Sequence, residues 1–371
     1  MNLHDLLNYR NSEIWNDWRW HIKNRIFDYE DLCKLLELNK CEDVSSVTKR
    51  YPMAITPYIA YQMYRFLSNG YIKEFKVLWN IYVPQAIEQK SFGEVPITGT
   101  GEEETPFNHR SYQFFPDRVL IRLTYMCSSI CRYCFIRHKV GLNGSFMSLD
   151  ELKDIASKIE VNKQIRDVII SGGDPLIASD KYLEKVIELF KNIPQIKILR
   201  IDTKIPISLP QRITYEFLSI VKKFSPIYIN IHVTHHSEIT DEVAKALTLL
   251  VKNGAILGAH IPLLKGINNE PEDIEELVVK LLEVGVKPYM LIHYIKTDGA
   301  DHFATSVKQG IKIIDYLWGR VSGMGVPIFV IYLPHGGGKV PLFPNYMKKK
   351  EKGVYIVKNF QGKIFRYDEI L

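Results

Sequence analysis

The segment from Tyr125 to Gly141, YMCSSICRYCFIRHKVG, concentrates three of the five cysteines of a 371-residue chain. Cys127, Cys131 and Cys134 are spaced by four and three positions. They directly follow the β-branched run RVLIRLT, which predicts a strand. Three thiolates on one loop at the end of a strand predict a metal centre at that edge of a sheet.

The number of cysteines limits which type of metal centre they can form. A structural zinc site and a ferredoxin cluster each need four ligands, whereas Cys33 and Cys41 lie in a distant, helical part of the sequence and are interpreted as structural. We therefore predict a four-iron, four-sulfur cluster with one iron left open to a substrate or cofactor. The alternative is three buried cysteines without a metal, but the same segment also carries Arg132, Arg137 and further basic residues.

The rest of the chain indicates an α/β fold. Seven apolar runs are separated by six amphipathic helical stretches, which predicts a parallel sheet covered by helices. The runs are RVLIRLT, DVIISGG, ILRIDTK, IYINIHVTHH, AILGAHIPLL, PYMLIHYI and VPIFVIYLP. Nearly all the unusual residues, such as the cysteines, the glycine-rich turns and the histidines, follow the C-terminal end of one of these runs. Barrel enzymes build their active sites at that face of the sheet, so a full or partial barrel is favoured over an open sheet.

Three segments are predicted along the chain. Residues 1–110 form a mainly helical region, with a capped helix from Ser12 to about Ile26 and a loop-like linker, SFGEVPITGTGEEETPFNHR. Residues 111–346 form the barrel. Residues 347–371 form a short β-hairpin, GVYIVKNFQGKIFRYDEIL, at their end.

The composition indicates the cellular location of the protein and the classes of partner it can bind. No segment reads as a signal peptide or a membrane span, and five cysteines do not form a secreted disulfide framework, so we expect a cytoplasmic protein that does not bind membranes. The net charge of +6 is scattered among nearly as many acidic residues, which disfavours nucleic-acid binding.

Two glycine-rich segments follow predicted strands. Ser171, Gly172, Gly173 and Asp174 form a turn where glycine would let the backbone approach a ligand and the acid could meet an ammonium group. Near the end of the chain, PHGGGKVP lacks the spacing and the Ser or Thr of a nucleotide phosphate loop. A lysine on a mobile glycine stretch, here Lys339, can instead form a Schiff base.

The cysteine motif C-x-x-x-C-x-x-C resembles that of the radical S-adenosylmethionine (SAM) enzymes, which have a partial (β/α) barrel. The resemblance implies that the open iron binds SAM and that reductive cleavage yields a 5′-deoxyadenosyl radical. It also implies that Ser171, Gly172, Gly173 and Asp174 contact the methionine end of SAM.

Over Trp15 to Tyr346 the sequence is similar to the lysine 2,3-aminomutase family. The motifs that carry the similarity are DWRWHIKNRI, YPMAITPY, FPDRVLIRLT, CRYC, SGGDPL, LPQRIT, LLKGINN and HGGGKVPLFPNY. The resemblance implies that Lys339 holds pyridoxal 5′-phosphate (PLP), that Arg118 lies beside it, and that an amino group migrates between neighbouring carbons. The family's zinc-binding cysteines near the carboxyl terminus have no counterpart, so no zinc is expected.

Three histidines end the fourth predicted strand. His232, His235 and His236 could suggest a metal, but alternation along a continued strand would point two of them to opposite faces. We interpret them as polar residues that line the site, with His232 as a cofactor contact.

The substrate-binding positions depart from the family. Lysine-specific members place an arginine and two aspartates where this chain has Ile136, Ile295 and Tyr332. Phe115 also replaces a usual tyrosine in the FPDR motif, so contacts to the PLP phosphate could differ.

Three functions are compatible with the sequence. The first is a PLP-dependent radical SAM aminomutase, or a close variant, that acts on an amino acid or amine other than free lysine. The second is a lysine 2,3-aminomutase whose substrate contacts have moved to Arg137, Lys139, Asp298 or Asp301. The third is an iron–sulfur electron carrier or redox sensor. The family resemblance further implies a flavodoxin or ferredoxin as reductant and a homo-oligomer.

Overall fold

The structure is a computed structural model that describes residues 1–38, 41–90, 100–108, 110–141, 144–351 and 354–368. Its central feature is a ten-stranded sheet in the sequential order β1 to β10. The strands are β1 (Pro106–Asn108), β2 (Ser111–Phe115), β3 (Arg118–Arg122), β4 (Asp167–Ser171), β5 (Ile198–Thr203), β6 (Ile227–His232), β7 (Ala255–Leu263), β8 (Lys287–His293), β9 (Ile328–Leu333) and β10 (Gly338–Leu342).

The seven predicted strands are β3 to β9, and all six of their neighbouring pairs are parallel. The six predicted helical stretches are also present between them. They are α7 (Leu149–Val161), α8 (Asp180–Lys191), α10 (Tyr215–Lys223), α11 (Asp241–Lys252), α12 (Pro271–Glu283) and α13 (Val307–Leu317), with the short α9 (Ile205–Ser208) following β5. The α/β class predicted from the sequence is therefore confirmed.

The sheet curls around one cavity of about 420 Å³. Strands β3 to β10 all contribute side chains to its wall, from Arg118 on β3 to Lys339 on β10. The apolar residues on the opposite side of the sheet pack against the helices in one large core. Among the described residues no ladder joins β1 to β10, so the barrel is partial.

The N-terminal region is helical, as predicted. Its helices are α1 (Leu3–Arg10), α2 (Trp18–Lys23), α3 (Tyr29–Leu35), α4 (Ser45–Arg50), α5 (Pro57–Ser68) and α6 (Ile72–Tyr82). The single helix predicted from Ser12 to Ile26 is wrong, because it is divided into a 3-10 turn at Glu13–Asn16 and helix α2. Asp17 has extended backbone angles and its carboxylate caps α2 through the amide of Arg19, which starts a new helix there. None of the helices that the structure describes is long and apolar enough to span a bilayer.

The predicted linker is partly ordered. Residues 91–99 lie outside the described residues, but Glu102–Glu104 form a 3-10 turn and β1 pairs with β2. The hairpin predicted near the C-terminus is β12 (Val354–Lys358) with β13 (Ile364–Asp368), and β11 (Met347–Glu351) adds a third antiparallel strand. The division at residues 110 and 346 stays a prediction, although β1 already joins the main sheet before residue 110.

The N-terminal region holds the cysteine segment in place through backbone contacts. The Ile130 amide donates to the Ala54 carbonyl at 2.9 Å, and the Arg132 amide donates to the Ile81 carbonyl at 2.7 Å. The guanidinium of Arg25 donates to the carbonyl of Cys127 at 2.7 Å. The helical region therefore fixes both ends of the cysteine loop.

A buried charge cluster completes this attachment. The Glu88 carboxylate, from the N-terminal region, accepts from Nη2 of Arg132 at 2.7 Å and from Nη2 of Arg137. All three side chains are at most 2% exposed. Burial alone would raise the pKa of Glu88, but the two guanidiniums outweigh it and hold that pKa below its usual range.

We predict that Glu88→Gln lowers the free energy of unfolding by about 3–5 kcal/mol, because it leaves two buried guanidiniums without a counter-charge. Urea unfolding of the anaerobically purified protein measures this. Because the folded pKa of Glu88 is lowered, its stabilisation is present above the unfolded pKa and is lost as the pH falls through the folded value. The difference between the two proteins should therefore shrink below about pH 4.

The matched control is Asp150→Asn, which removes the carboxylate of an exposed pair with Lys153. It should change stability by no more than about 0.5 kcal/mol. Equal effects of the two substitutions would contradict the role given to Glu88.

Candidate functional site

Cys127, Cys131 and Cys134 all line the wall of the cavity. Cys127 and Cys134 also pack against a small apolar cluster formed by Ala54, Ile130, Ile136 and Val140. Burial and repulsion among the thiolates raise the pKa of Cys127 well above its usual range, and burial raises that of Cys131 to about 12. Three crowded thiols with raised pKa values fit a cationic iron centre, whose charge would stabilise the thiolates.

The glycine turn after β4 is bound directly to the cysteine loop. The Gly173 amide donates to the Thr124 carbonyl at 2.6 Å, and the Asp174 amide donates to the Met126 carbonyl at 2.7 Å. A Cβ on Gly172 would lie 2.4 Å from the Thr124 oxygen, and Gly172 has a φ of +148°. Glycine is therefore required here so that Ser171–Asp174 can pack beside the cluster ligands.

The Asp174 carboxylate is hydrogen-bonded within the protein, and its contact with an ammonium group stays a prediction. It accepts hydrogen bonds from the backbone amides of Leu176, Lys204 and Ile205 and from the Thr203 hydroxyl, at 2.7–3.1 Å. Burial raises its pKa to about 6. Four donors occupy the acceptor positions of one carboxylate, so Asp174 orders the loops after β4 and β5.

Lys339 faces the cavity from β10 and not from a mobile glycine stretch, which corrects the sequence interpretation. It pairs in register with Tyr332 on β9, and its Nζ lies 5.2 Å from the centre of the Tyr332 ring. Its hydrogen-bond partner is Sδ of Met290 at 3.7 Å, a weak acceptor. Among the described residues no carboxylate pairs with this lysine.

Arg118 lies on the same wall, at the start of β3. Its guanidinium is bound by the Asp117 carboxylate at 2.8 Å and stacks 4.7 Å from the centre of the Phe115 ring. A Cβ on Gly338 would lie 3.0 Å from Cζ of that same ring. Phe115 thus connects Arg118 to the strand that carries Lys339.

The three histidines separate into two groups. His232 lines the cavity and is adjacent in register to His260 on β7, whereas His235 and His236 lie outside it, which corrects the interpretation of all three as site residues. His235 and His236 instead lie beside Asp273, and His236 pairs with Glu276 on α12.

His232 and His260 have no hydrogen-bond partner for Nε2 within the described part of the chain. Burial lowers the pKa of His232 to about 4 and that of His260 well below its usual range. With Asp202 they form a polar strip across β5, β6 and β7. The sequence analysis missed Asp202 and His260, although alternation along these strands could have indicated them.

Ile136, Ile295 and Tyr332 all line the cavity. Ile136 is buried in the apolar cluster beside the cysteines and itself supplies no charge. The alternative substrate contacts are already engaged and do not belong to the cavity wall. Arg137 binds Glu88, Lys139 binds Glu103, Asp298 binds Arg50 and Tyr51, and Asp301 accepts from Tyr294.

Glu102 and Arg122 form a cavity-lining ion pair that the sequence analysis did not anticipate. Glu102 belongs to the run of three glutamates that was interpreted as a loop. Its side chain and that of Arg122 are each 2% exposed. No local sequence pattern brings these two residues, 20 positions apart, together.

Comparison with known proteins agrees with this geometry. Residues 121–287 match the model of the radical SAM superfamily, and residues 314–370 match that described as lysine-2,3-aminomutase. The chain is 38% identical over 361 residues to L-lysine 2,3-aminomutase of Clostridium subterminale, covering 96% of this chain and 84% of that protein. It is 35% identical over 364 residues to glutamate 2,3-aminomutase of Clostridioides difficile, with the same two coverages.

The curled parallel sheet and its three-cysteine loop, together with the superfamily match, define a radical SAM enzyme fold. The identity to these relatives extends over nearly the whole chain. The chain belongs to the lysine 2,3-aminomutase family of radical SAM aminomutases. Because its relatives include enzymes named for lysine and for glutamate, membership leaves the substrate open.

We predict that Cys127→Ala, Cys131→Ala or Cys134→Ala each removes most of the bound iron and the brown iron–sulfur absorbance, because the remaining two thiolates cannot hold the cluster. Iron and sulfide analysis after anaerobic reconstitution measures this. Cys33→Ala and Cys41→Ala are the controls and should retain the full iron content. A Cys131→Ala protein with a full iron load would show that the cluster has other ligands.

Proposed function

We propose that this protein is a PLP-dependent radical SAM aminomutase that moves an amino group between adjacent carbons of an amino acid or amine other than free lysine. The observation that carries the proposal is that one cavity is lined by Cys127, Cys131 and Cys134, by the turn at Ser171–Asp174 and by Lys339. When bound, the cluster and SAM supply a hydrogen-abstracting radical, and PLP supplies a conjugated system that stabilises a radical next to nitrogen.

The residues around Lys339 fit a PLP site. An amine on the cavity wall without a carboxylate partner among the described residues is available to hold an aldehyde cofactor. Arg118 provides positive charge for the cofactor phosphate on the same wall. The neutral imidazoles of His232 and His260 offer buried nitrogens for a polar ring substituent.

Much of the cavity wall is apolar or aromatic, including Phe114, Phe115 and Tyr289. A radical formed in the cavity would react with oxygen or with other groups if solvent entered freely. An apolar wall around the bound substrate therefore favours reaction of the radical with the substrate.

The substrate assignment rests on Ile136, Ile295 and Tyr332. A buried ammonium without a counter-charge costs several kcal/mol, and Ile295 and Tyr332 supply none. An apolar or aromatic side chain would instead gain about 0.8 kcal/mol for each methylene buried against these surfaces. The alternative of relocated lysine contacts is weakened because Arg137, Lys139, Asp298 and Asp301 are engaged elsewhere.

We predict that borohydride fixes PLP to Lys339 and that Lys339→Ala abolishes this attachment while retaining the iron–sulfur cluster. Peptide mapping by mass spectrometry measures the site of reduction. Lys204→Ala is a useful comparison, because Lys204 also lines the cavity but its Nζ is paired with Glu238 at 2.6 Å. Reduced PLP on Lys204 or on no lysine would refute the proposed attachment.

We predict negligible turnover of free L-lysine in an anaerobic screen of amino acids and amines read by mass spectrometry. Introducing Ile295→Asp together with Tyr332→Asp should improve lysine binding more than that of L-leucine, because it adds the missing counter-charges. The paired substitution to asparagine controls for polarity without charge. Efficient formation of β-lysine by the unmodified protein would show that the substrate assignment is wrong.

A further inference from the structure

Strand β3 presents two arginines to the cavity. Arg118, Leu120 and Arg122 alternate along the strand and all line the wall. Arg118 lies at the start of the strand and Arg122 at its end, close to the cysteine loop. The Arg122 guanidinium is 5.6 Å from the centre of the Phe135 ring, which is adjacent in sequence to Cys134 and Ile136. Arg122 therefore lies between the proposed PLP region and the cluster.

The hydrogen bonds of Arg122 leave part of its guanidinium available. Its Nε donates to Oε2 of Glu102 at 2.9 Å, its Nη2 donates to Oε1 of Glu102, and its Nη1 donates to the Gly172 carbonyl at 3.2 Å. A guanidinium has five N–H donors. Two N–H groups of this buried side chain thus have no hydrogen bond in the described structure.

A contribution to folding stability does not by itself explain the buried ion pair of Arg122 with Glu102. Two buried charges lose hydration, and an apolar pair of similar volume is often as stable or more stable. Other cations on the wall are also paired with carboxylates, since Arg200 binds Asp167 and Lys204 binds Glu238. Arg122 differs in that it contacts Phe135, the sequence neighbour of the apolar Ile136, and its Glu102 partner fixes the plane of the guanidinium.

We propose that Arg122 binds the carboxylate of the substrate, with Glu102 as the residue that positions it. This inference rests on the proposed function and refines it, since the substrate would then be an amino acid with a free carboxylate and not a simple amine. The other carboxylate that enters this cavity is that of SAM, and the experiment separates the two sources.

The test measures ligand binding to the PLP-loaded holoenzyme with SAM present and the cluster oxidised, so that no radical forms. The probes are L-leucine with 3-methylbutylamine, and L-phenylalanine with 2-phenylethylamine, pairs that differ by the carboxylate. The visible absorbance of the bound PLP reports each dissociation constant. For each variant we compare the preference, which is the dissociation constant of the amine divided by that of the matching amino acid.

Glu102→Gln should increase this preference, because it removes the charge that neutralises Arg122. The double variant Glu102→Gln with Arg122→Met should reduce it by roughly 10- to 100-fold, as expected for charge-assisted hydrogen bonds. This double variant leaves no unpaired buried charge, and Glu102→Gln with Arg122→Lys should restore part of the preference. The control is Arg212→Met with Asp180→Asn, which removes a pair outside the cavity wall whose arginine is fully buried, and it should leave the preference unchanged.

The possible results of this experiment distinguish the role of Arg122 from the proposed function. A preference that changes neither in Glu102→Gln nor in Glu102→Gln with Arg122→Met, in a protein that still holds PLP on Lys339, overturns the role of Arg122 and leaves the proposed function intact. An altered dissociation constant for SAM with an unchanged preference assigns the carboxylate to SAM and overturns the substrate assignment. A protein without PLP on Lys339 fails the proposed function, and this inference fails with it.

Discussion

The buried carboxylate of Glu88 joins the two parts of the molecule on which the site depends. Its partners, Arg132 and Arg137, flank Cys134 in the cysteine segment, whereas Glu88 belongs to the helical N-terminal region. Arg25, Ala54 and Ile81 of the same N-terminal region also hydrogen-bond to the cysteine loop. The N-terminal helices therefore support the loop that carries the three cysteines.

The electrostatics of the cavity divide it into three regions. One end holds the three cysteines, whose pKa values are raised by burial. The middle holds the compensated pair of Arg122 with Glu102 and the apolar side chain of Ile136. On the wall formed by β10, Lys339 has only a thioether as hydrogen-bond partner among the described residues. This order matches a radical source, a substrate region and an amine-binding cofactor.

Local patterns in the sequence predict most of the fold, since the seven apolar runs are the seven parallel strands. The cysteine spacing, the SGGD turn and the lysine after a glycine run are also local patterns, and their residues line one cavity. The contacts of Glu88 and Glu102 could not be predicted, because the partners of a buried carboxylate are set by tertiary contacts that no spacing encodes. The same holds for the four donors to the Asp174 carboxylate, which come from its own turn and from the end of β5 and the loop that follows.

The most direct measurement is formation of 5′-deoxyadenosine by the anaerobically reconstituted protein after addition of dithionite and SAM. Our account predicts SAM cleavage that requires the reduced cluster, since the chain belongs to the radical SAM superfamily and its three cysteines and glycine turn line one cavity. A protein with a complete cluster that exchanges electrons but forms no 5′-deoxyadenosine, with or without PLP and candidate substrates, would contradict it. That result would instead support an iron–sulfur electron carrier or redox sensor.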